Sequence, residues 1–444
     1  MQDVRLPFEI RDARPLRVLY LDLNAYFASV QQAENPELRG RPVGVCAVET
    51  DSSTLIAASY EAKAFGIKTG TNIGEARRLC PEIVLISGGH GIYTAYHQRI
   101  LEAVESVLPI ESVNSIDEMQ IQLIGEEREP ENARGYARRI KAAIRERVAD
   151  NLACSIGVAP NPFLAKLATD LQKPDGLVVI EAKDLPDRLR GLRLTEFAGI
   201  NRRMEARLQA HGIFSSDQMV DASREALIQA FGGIIGERWY YMLRGYAIVS
   251  PRRDRQSLSH SHVLPPELRS EAGCRETMLR LIQKATARLR SERLFASAVA
   301  FHVKGTKRSW DVRLRIDPSN DTVEINAEFN RQWEKRDFVG PLQVGVAFGD
   351  LKDAHEVTPS LFSQAVQRTD FNDAVDHLNH RFGKNTVFVA GMHHAKDTAE
   401  ERIAFQKTEL FDEGQESSRD GTRRGPFRRS GGTSDETMDR KASD

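Results

Sequence analysis

The sequence predicts an α+β protein of several domains, on three observations. Its 444 residues suffice for roughly three domains of ordinary size. The first half alternates apolar strand patterns with helix-period segments, as an α/β region does. Beyond a basic connector at 250–255 (SPRRDR), a second region sets one long helix among strand patterns.

The elements follow in order. Residues 17–23 (RVLYLDL) form an apolar strand bounded by polar residues. In 94–108 the apolar residues Tyr96, Ile100, Val104 and Val107 fall at helical spacing, and 132–149 repeats the signal with Tyr136, Ile140, Ile144 and Val148. Between them MQIQL (119–123) alternates strictly and reads as a half-buried strand. Residues 152–158 make a further strand that runs into Asn161-Pro162, a cap followed by proline at the first helical position. The helix so opened places Phe163, Leu167 and Leu171 on one face and is expected to stop at Pro174, with 176–180 returning to strand. Residues 188–245 are mostly helical, punctuated by glycine. A strong helix at 271–293 is followed by strands at 297–303, 310–316 and 343–348, and 371–389 reads as a helix and a short strand. From about residue 413 the chain is rich in Gly, Ser and both charges and reads as a disordered tail.

Composition excludes several classes. With 41% apolar and 28% charged residues the chain is neither collagen-like nor wholly disordered. No apolar run approaches the ~18–20 residues that span a bilayer, and the N-terminus lacks the apolar core of a secretory signal. Cys46, Cys80, Cys154 and Cys274 are far apart and form no CxxC pair, so the expectation is a reducing, cytoplasmic setting without disulfides or zinc. The 62 basic and 63 acidic residues nearly cancel. A nucleic-acid binder of this balance has to segregate its charges, with carboxylates in a site and Lys/Arg on a track.

Three places can carry chemistry. Asp22 lies late in the first strand, and Asp117-Glu118 precede the strand at 119–123. Three carboxylates at strand ends suit two divalent cations, since magnesium takes a few carboxylates plus substrate phosphates. An acidic pair alone is a weak signal, because roughly nine arise by chance in such a chain, and a solvated hairpin end explains it equally. Tyr60 and Lys63 share one helical face beside Gly66 and Gly70 and can hold a phosphate; a snorkelling lysine on an amphipathic helix is the plainer account. Lys166 and Lys173 lie seven apart on the helix after Asn161, as a second phosphate contact or as cations placed against the helix dipole.

In combination these pieces are far more specific. DLNAYFAS from Asp22, SYEAKAFGI from Ser59, SIDE from Ser115 and SIGVAPNPFLAKLATDLQKPDG from Ser155 occur in the order and at the spacing of the Y-family (translesion) DNA polymerases. The chain resembles that family over about residues 16–395, most strongly in the first 180. Its start looks most like the polymerase V branch, and the helix after Asn161 is also similar to polymerase IV.

The resemblance implies a right-handed polymerase: a palm at 16–187 with fingers inserted at about 36–90, a helical thumb at 188–248, a little finger at 256–352 with an extension to about 395, and a disordered tail at 412–444. It implies that Asp22, Asp117, Glu118 and the carbonyl of Leu23 bind two Mg2+, and that Phe27 is an aromatic gate against a ribose 2′-OH. Tyr60, Lys63 and Lys173 then grip the incoming dNTP. Position 63 is Lys where the family usually has Arg, which exchanges a bidentate fork for a point charge. Met119 stands where the family usually has a small or thiol side chain. Phe197-Ala-Gly-Ile-Asn201 resembles a helix-hairpin-helix turn in which Gly199 and a left-handed Asn201 offer backbone N–H groups to DNA phosphates. Arg252, Arg253, Arg313 and Arg315 are expected on the DNA backbone, the last two on one face of an alternating strand. Leu361 and Phe362, in TPSLF, are the expected sliding-clamp contact, with KTELF at 407–411 as the alternative.

The function so implied is error-prone DNA synthesis past damaged bases by two-metal phosphoryl transfer, in the setting of the SOS response and mutagenesis. Its partners are primer-template DNA, dNTP, a sliding clamp and accessory subunits of a mutagenic complex. Two other readings stay open: a catalytically silent relative that binds DNA and clamp, against which the three intact carboxylates speak, and another palm-fold enzyme such as a nucleotide cyclase, whose Gly-Gly-(Asp/Glu)-Glu-Phe turn is absent.

Overall fold

The structure is a computed structural model that describes residues 7–51, 53–249, 256–357 and 365–398. Arg252, Arg253, Leu361, Phe362, the 407–411 segment and the tail lie outside the described residues. The chain gathers into two compact units. One comprises Pro15–Asp184 and Arg193–Asn201; the described part of the other comprises residues 7–14, Leu185–Leu192 and residues 202–398.

The chain opens on a short strand of the second unit, β1 (Glu9–Arg11), and enters the first with β2 (Val18–Leu23) and α1 (Tyr26–Glu34). A small three-stranded layer follows: β3 (Val43–Cys46), β4 (Leu55–Ala58), α2 (Tyr60–Ala64), α3 (Ile73–Leu79) and β5 (Val84–Ser87). Its sheet runs β4-β3-β5 over a core of Leu55, Ala62, Ile67 and Ile73. Then come α4 (His90–Glu105), β6 (Ser112–Val113), β7 (Glu118–Gln122), α5 (Pro130–Arg147), β8 (Cys154–Ala159), α6 (Pro162–Leu171) and β9 (Leu177–Val179).

These strands form a five-stranded sheet, order β6-β7-β2-β8-β9, with β2 antiparallel to both neighbours. The period-2 alternation divides its two faces. Leu19, Leu21, Met119, Ile121, Ile156 and Val158 are fully buried on one. The other carries Tyr20 and Asp22, opposite Gln120 and Glu118 on β7 and Gly157 and Ser155 on β8. Helix α6 lies on this second face. Asn161 caps it as the sequence predicts, its Oδ1 accepting the Leu164 N–H at 2.8 Å. The helix ends at Leu171, ahead of Pro174, and 172–176 make the turn into β9. Gly157 allows the close approach: a Cβ there would stand 2.0 Å from the Ala165 carbonyl oxygen.

The second unit begins with a helical region, α7 (Arg202–Ala210), α8 (Ser216–Asp221), α9 (Arg224–Phe231) and α10 (Ile234–Leu243). Strand β10 (Ala247–Val249) closes it by pairing with β1, Ile10 opposite Ile248. The rest is β11 (Ser257–Val263), α11 (Glu271–Ser291), β12 (Leu294–Arg308), β13 (Trp310–Ser319), α12 (Thr322–Trp333), β14 (Val339–Asp353) and α13 (Ala365–Phe382). The sheet is antiparallel, order β11-β14-β12-β13, and α11 and α12 cover a face built from Phe301, Val344 and Val346 with Met278, Ile282 and Phe329. The short strand expected near 387–389 is absent. Side chains take its backbone groups instead: Asn379 Oδ1 accepts the Val387 N–H at 2.8 Å and Gln283 Oε1 the Val389 N–H at 3.1 Å. Among the described residues no helix is long and apolar enough to cross a membrane.

Gly157→Ala forces α6 off the sheet and is expected to cost about 1–3 kcal/mol of stability. Denaturant unfolding of both proteins measures it, and an unchanged midpoint would show that α6 tolerates a looser seat.

Candidate active site

The site grows from the end of β2. Asp22, only 6% exposed, pairs directly opposite Glu118 in the β2–β7 register. Asp117 precedes β7, and its carbonyl accepts the Leu23 N–H at 2.8 Å, which fixes the Asp117 loop to the strand end. The Ser115 hydroxyl donates to Asp117 Oδ1. Burial pushes the Asp117 carboxyl above the usual carboxylate range; the charges of Asp22 and Glu118 add to this, against the Ser115 hydrogen bond and Lys166.

Two lysines meet these carboxylates. Lys166, from the middle of α6, bridges Asp22 Oδ2 and Glu118 Oε1, the latter at 2.8 Å. Lys173, in the turn after α6, reaches Asp22 Oδ1 and Asp170 Oδ1, each at 2.8 Å. Burial alone would lower both lysine pKa values. Asp22 and Asp170, joined at Lys166 by Glu118, outweigh it and raise both. The remaining Glu118 oxygen, Oε2, accepts from the Tyr20 hydroxyl at 2.7 Å.

The Lys173 turn is latched to the strand by Asn24. Its Oδ1 accepts the Asp175 N–H at 2.7 Å and its Nδ2 donates to Ser155 Oγ at 3.1 Å. Ser155 Oγ in turn donates to the Gln172 carbonyl at 3.2 Å and accepts the Gly176 N–H at 3.2 Å. Lys141 donates to the Asp175 carbonyl at 2.6 Å from below.

From the small layer, Ser59 caps α2 by accepting the Ala62 N–H at 3.3 Å, and Lys63 Nζ lies 4.0 Å from the Tyr60 ring centroid. Burial, and then repulsion from Lys173, push the Lys63 pKa down. Burial raises that of Tyr60, which also feels Lys173 and Asp22. Phe27, 4% exposed, packs edge-on against Tyr93 with centroids 4.7 Å apart.

The structure therefore brings Asp22, Asp117, Glu118, Tyr60, Lys63 and Lys173 into one electrostatic neighbourhood. It corrects the turn at 197–201: Gly199 has φ +97°, whereas Asn201 is not left-handed and leads directly into α7, and only a 3-10 turn at Leu194–Glu196 precedes it. Arg313 and Arg315 are exposed on one face of β13 in the other unit, as the alternation predicts, and Asp311 and Asp317 share that face. Lys166, Tyr20, Asn24 and Ser155 were not singled out for these roles. Tyr20 was recoverable, since two residues before Asp22 on a strand means the same face.

Among the described residues no group of three or more His, Cys, Asp or Glu side chains is arranged to hold a metal ion. Ammonium groups occupy the oxygens of Asp22 and Glu118 instead. In chemistry the donors fit magnesium: three carboxylates and a strand-end carbonyl are the hard oxygen ligands it takes.

The profile of the impB/mucB/samB family matches residues 21–170, and that of the family's C-terminal domain matches residues 255–361. DNA polymerase IV of Moorella thermoacetica is 34% identical over 382 residues, covering 83% of this chain and 94% of that protein. Among solved structures, a Y-family DNA polymerase chimera of Dbh and Dpo4 superposes with a TM-score of 0.64 at 24% identity, covering 76% of this chain and 99% of that one. The insertion ternary complex of Dbh DNA polymerase gives 0.53 at 23% identity, covering 76% and 99%. At these identities the structural likeness establishes the fold.

The raised carboxyl of Asp117 has a thermodynamic consequence. A carboxyl whose folded pKa lies above its unfolded value stabilises at low pH, and that stability is lost as pH rises through the folded pKa. In chelator, Asp117→Asn is therefore expected to melt higher than wild type at neutral pH, with the difference closing toward pH ~3–4, below the unfolded carboxyl pKa. Melting curves at the two pH values check this; a gain that persists in acid would contradict it.

Proposed function

Since this chain belongs to the impB/mucB/samB family and is a Y-family DNA-directed DNA polymerase, we propose that it copies damaged templates with low fidelity by two-metal phosphoryl transfer. The observation that carries the mechanism is the convergence on Asp22 of two further carboxylates and of the cations Lys63 and Lys173. Asp22, Asp117, Glu118 and the Leu23 carbonyl would hold the two Mg2+. When bound, the ions activate the primer 3′-OH and neutralise charge on the triphosphate and the leaving pyrophosphate.

The chain's own groups do the rest. A triphosphate offers Lys63 a counter-charge stronger than the distant Asp22, and Tyr60 holds the ammonium in place beneath it. Lys173 exchanges Asp22 for a phosphate oxygen, so arrival of the nucleotide releases one carboxylate oxygen. Phe27, wedged by Tyr93, is the gate against a 2′-OH. Gly199, Arg252, Arg253, Arg313 and Arg315 serve as contacts to primer-template phosphates that carry no sequence information. Leu361 and Phe362 offer a sliding clamp a Leu-Phe pair. An accessory mutagenic complex and the SOS setting follow from the family resemblance.

Primer extension with Mg2+ and dNTPs tests this. Wild type extends, and the paired Asp117→Ala, Glu118→Ala change lowers the rate by about a thousandfold or more while DNA binding persists. Equal rates would remove the carboxylates from the mechanism. Phe27→Ala should raise ribonucleotide incorporation, and no rise would discard the gate. The paired Arg313→Ala, Arg315→Ala change should flatten the dependence of log affinity on log salt by about two, read from DNA binding across salt concentrations.

A further inference from the structure

Asp22 and Glu118 stand directly opposite each other on adjacent antiparallel strands. Like charges in that position repel, and no ladder geometry can separate them. Each of their four oxygens has a protein donor. Lys166 takes one from each carboxylate, Lys173 takes the other of Asp22, and Tyr20 the other of Glu118. Lys166 is the group that touches both. It projects from the body of α6, which is seated against the sheet at Gly157 and capped by Asn161, and its ammonium lies 5.6 Å from the Tyr20 ring centroid and 4.0 Å from Asp170.

We propose that Lys166 is a positioning residue that serves as a resident counter-ion, holding Asp22 and Glu118 together and competing with divalent cations for their oxygens. This rests on the reading of those carboxylates as metal ligands. The consequence is ordered loading. With both lysines on Asp22 the site has low affinity for a free divalent ion. An incoming triphosphate draws Lys173 away and brings negative charge of its own, so the balance shifts from ammonium to metal when the nucleotide arrives. By linkage, the metal and the nucleotide strengthen each other's binding through Lys166.

The test is Mn2+ binding followed by electron paramagnetic resonance, with no chemistry taking place. Wild type and Lys166→Met are titrated alone, then with primer-template and a non-hydrolysable dNTP analogue. The expected result is that Lys166→Met alone binds Mn2+ about tenfold or more tightly than wild type alone, and that the analogue tightens Mn2+ binding less in the variant. If Lys166→Met folds only with Mn2+ present, its melting temperature as a function of Mn2+ concentration reports the same affinity. Equal or weaker Mn2+ binding by Lys166→Met, beside a wild type that binds Mn2+ with the analogue, overturns this inference and leaves the metal-ligand reading standing. A wild type that takes up no Mn2+ under any of these conditions overturns both.

Discussion

A like-charge pair sets the terms for the first unit. Asp22 and Glu118 are opposed across β2 and β7 at a strand end where Asp22 is buried and Glu118 half-buried, so water screens them only in part. Such a pair persists only if positive charge is delivered to the same face, and α6 delivers it. The features of that helix follow from this demand. Glycine at 157 lets its backbone approach the sheet, Asn161 fixes its start, and its register puts Lys166 between the two carboxylates. The turn that follows is fastened at several points, by Asn24, by Ser155 and, through Asp175, by Lys141. A movement there would withdraw Lys173 from Asp22.

Under the proposed function the arrangement serves charge exchange rather than stability. A buried ionic cluster gains little over apolar packing, because desolvation consumes most of the Coulombic gain. Asp117 is held above its ordinary range, and Lys63, stacked on the face of Tyr60, is held below its own. The two strains have opposite sign and are relieved by opposite partners, a cation at the first and an anion at the second. A ligand that carries both, a metal-bound triphosphate, relieves them together. Perturbed groups of complementary sign in one site are what phosphoryl transfer asks for.

How much of this was legible depended on whether the signal was local. The central strands were readable because one face is uniformly apolar: MQIQL alternates, and Met119 and Ile121 are indeed fully buried. The cap at Asn161 was readable because capping is decided within three residues. Strand β11, SLSHSHV, was missed because its alternation is of serine and histidine with little apolar content. Residues 387–389 have strand composition, yet Asn379 of the preceding helix and Gln283, 106 residues before Val389, take their backbone N–H groups. At the site, residue types and order, with the family resemblance, singled out Asp22, Asp117, Glu118, Tyr60 and Lys63. They could not show that Lys166 sits on carboxylates, because helical spacing fixes its place along α6 but not its distance from a strand 144 residues earlier.

The net charge of −1 also takes on meaning from the site. Lys166, Lys173 and Lys141 are engaged with carboxylates, so they cancel negative charge locally and contribute little field at a distance. What is left for a polyanion is the exposed surface. On the outer face of β13, Arg313 and Arg315 stand side by side between Asp311 and Asp317, and the residues opposite them on β12, Ala300 and Ala298, are small. Such a face sets two guanidinium groups, flanked by carboxylates, over a flat floor. It suits contacts to a backbone that are few, sensitive to salt and indifferent to sequence. A polymerase that meets distorted templates needs that indifference, and in the function proposed above its strongest electrostatics lie at the carboxylates, where a displaced lysine is exchanged for the nucleotide's own charge.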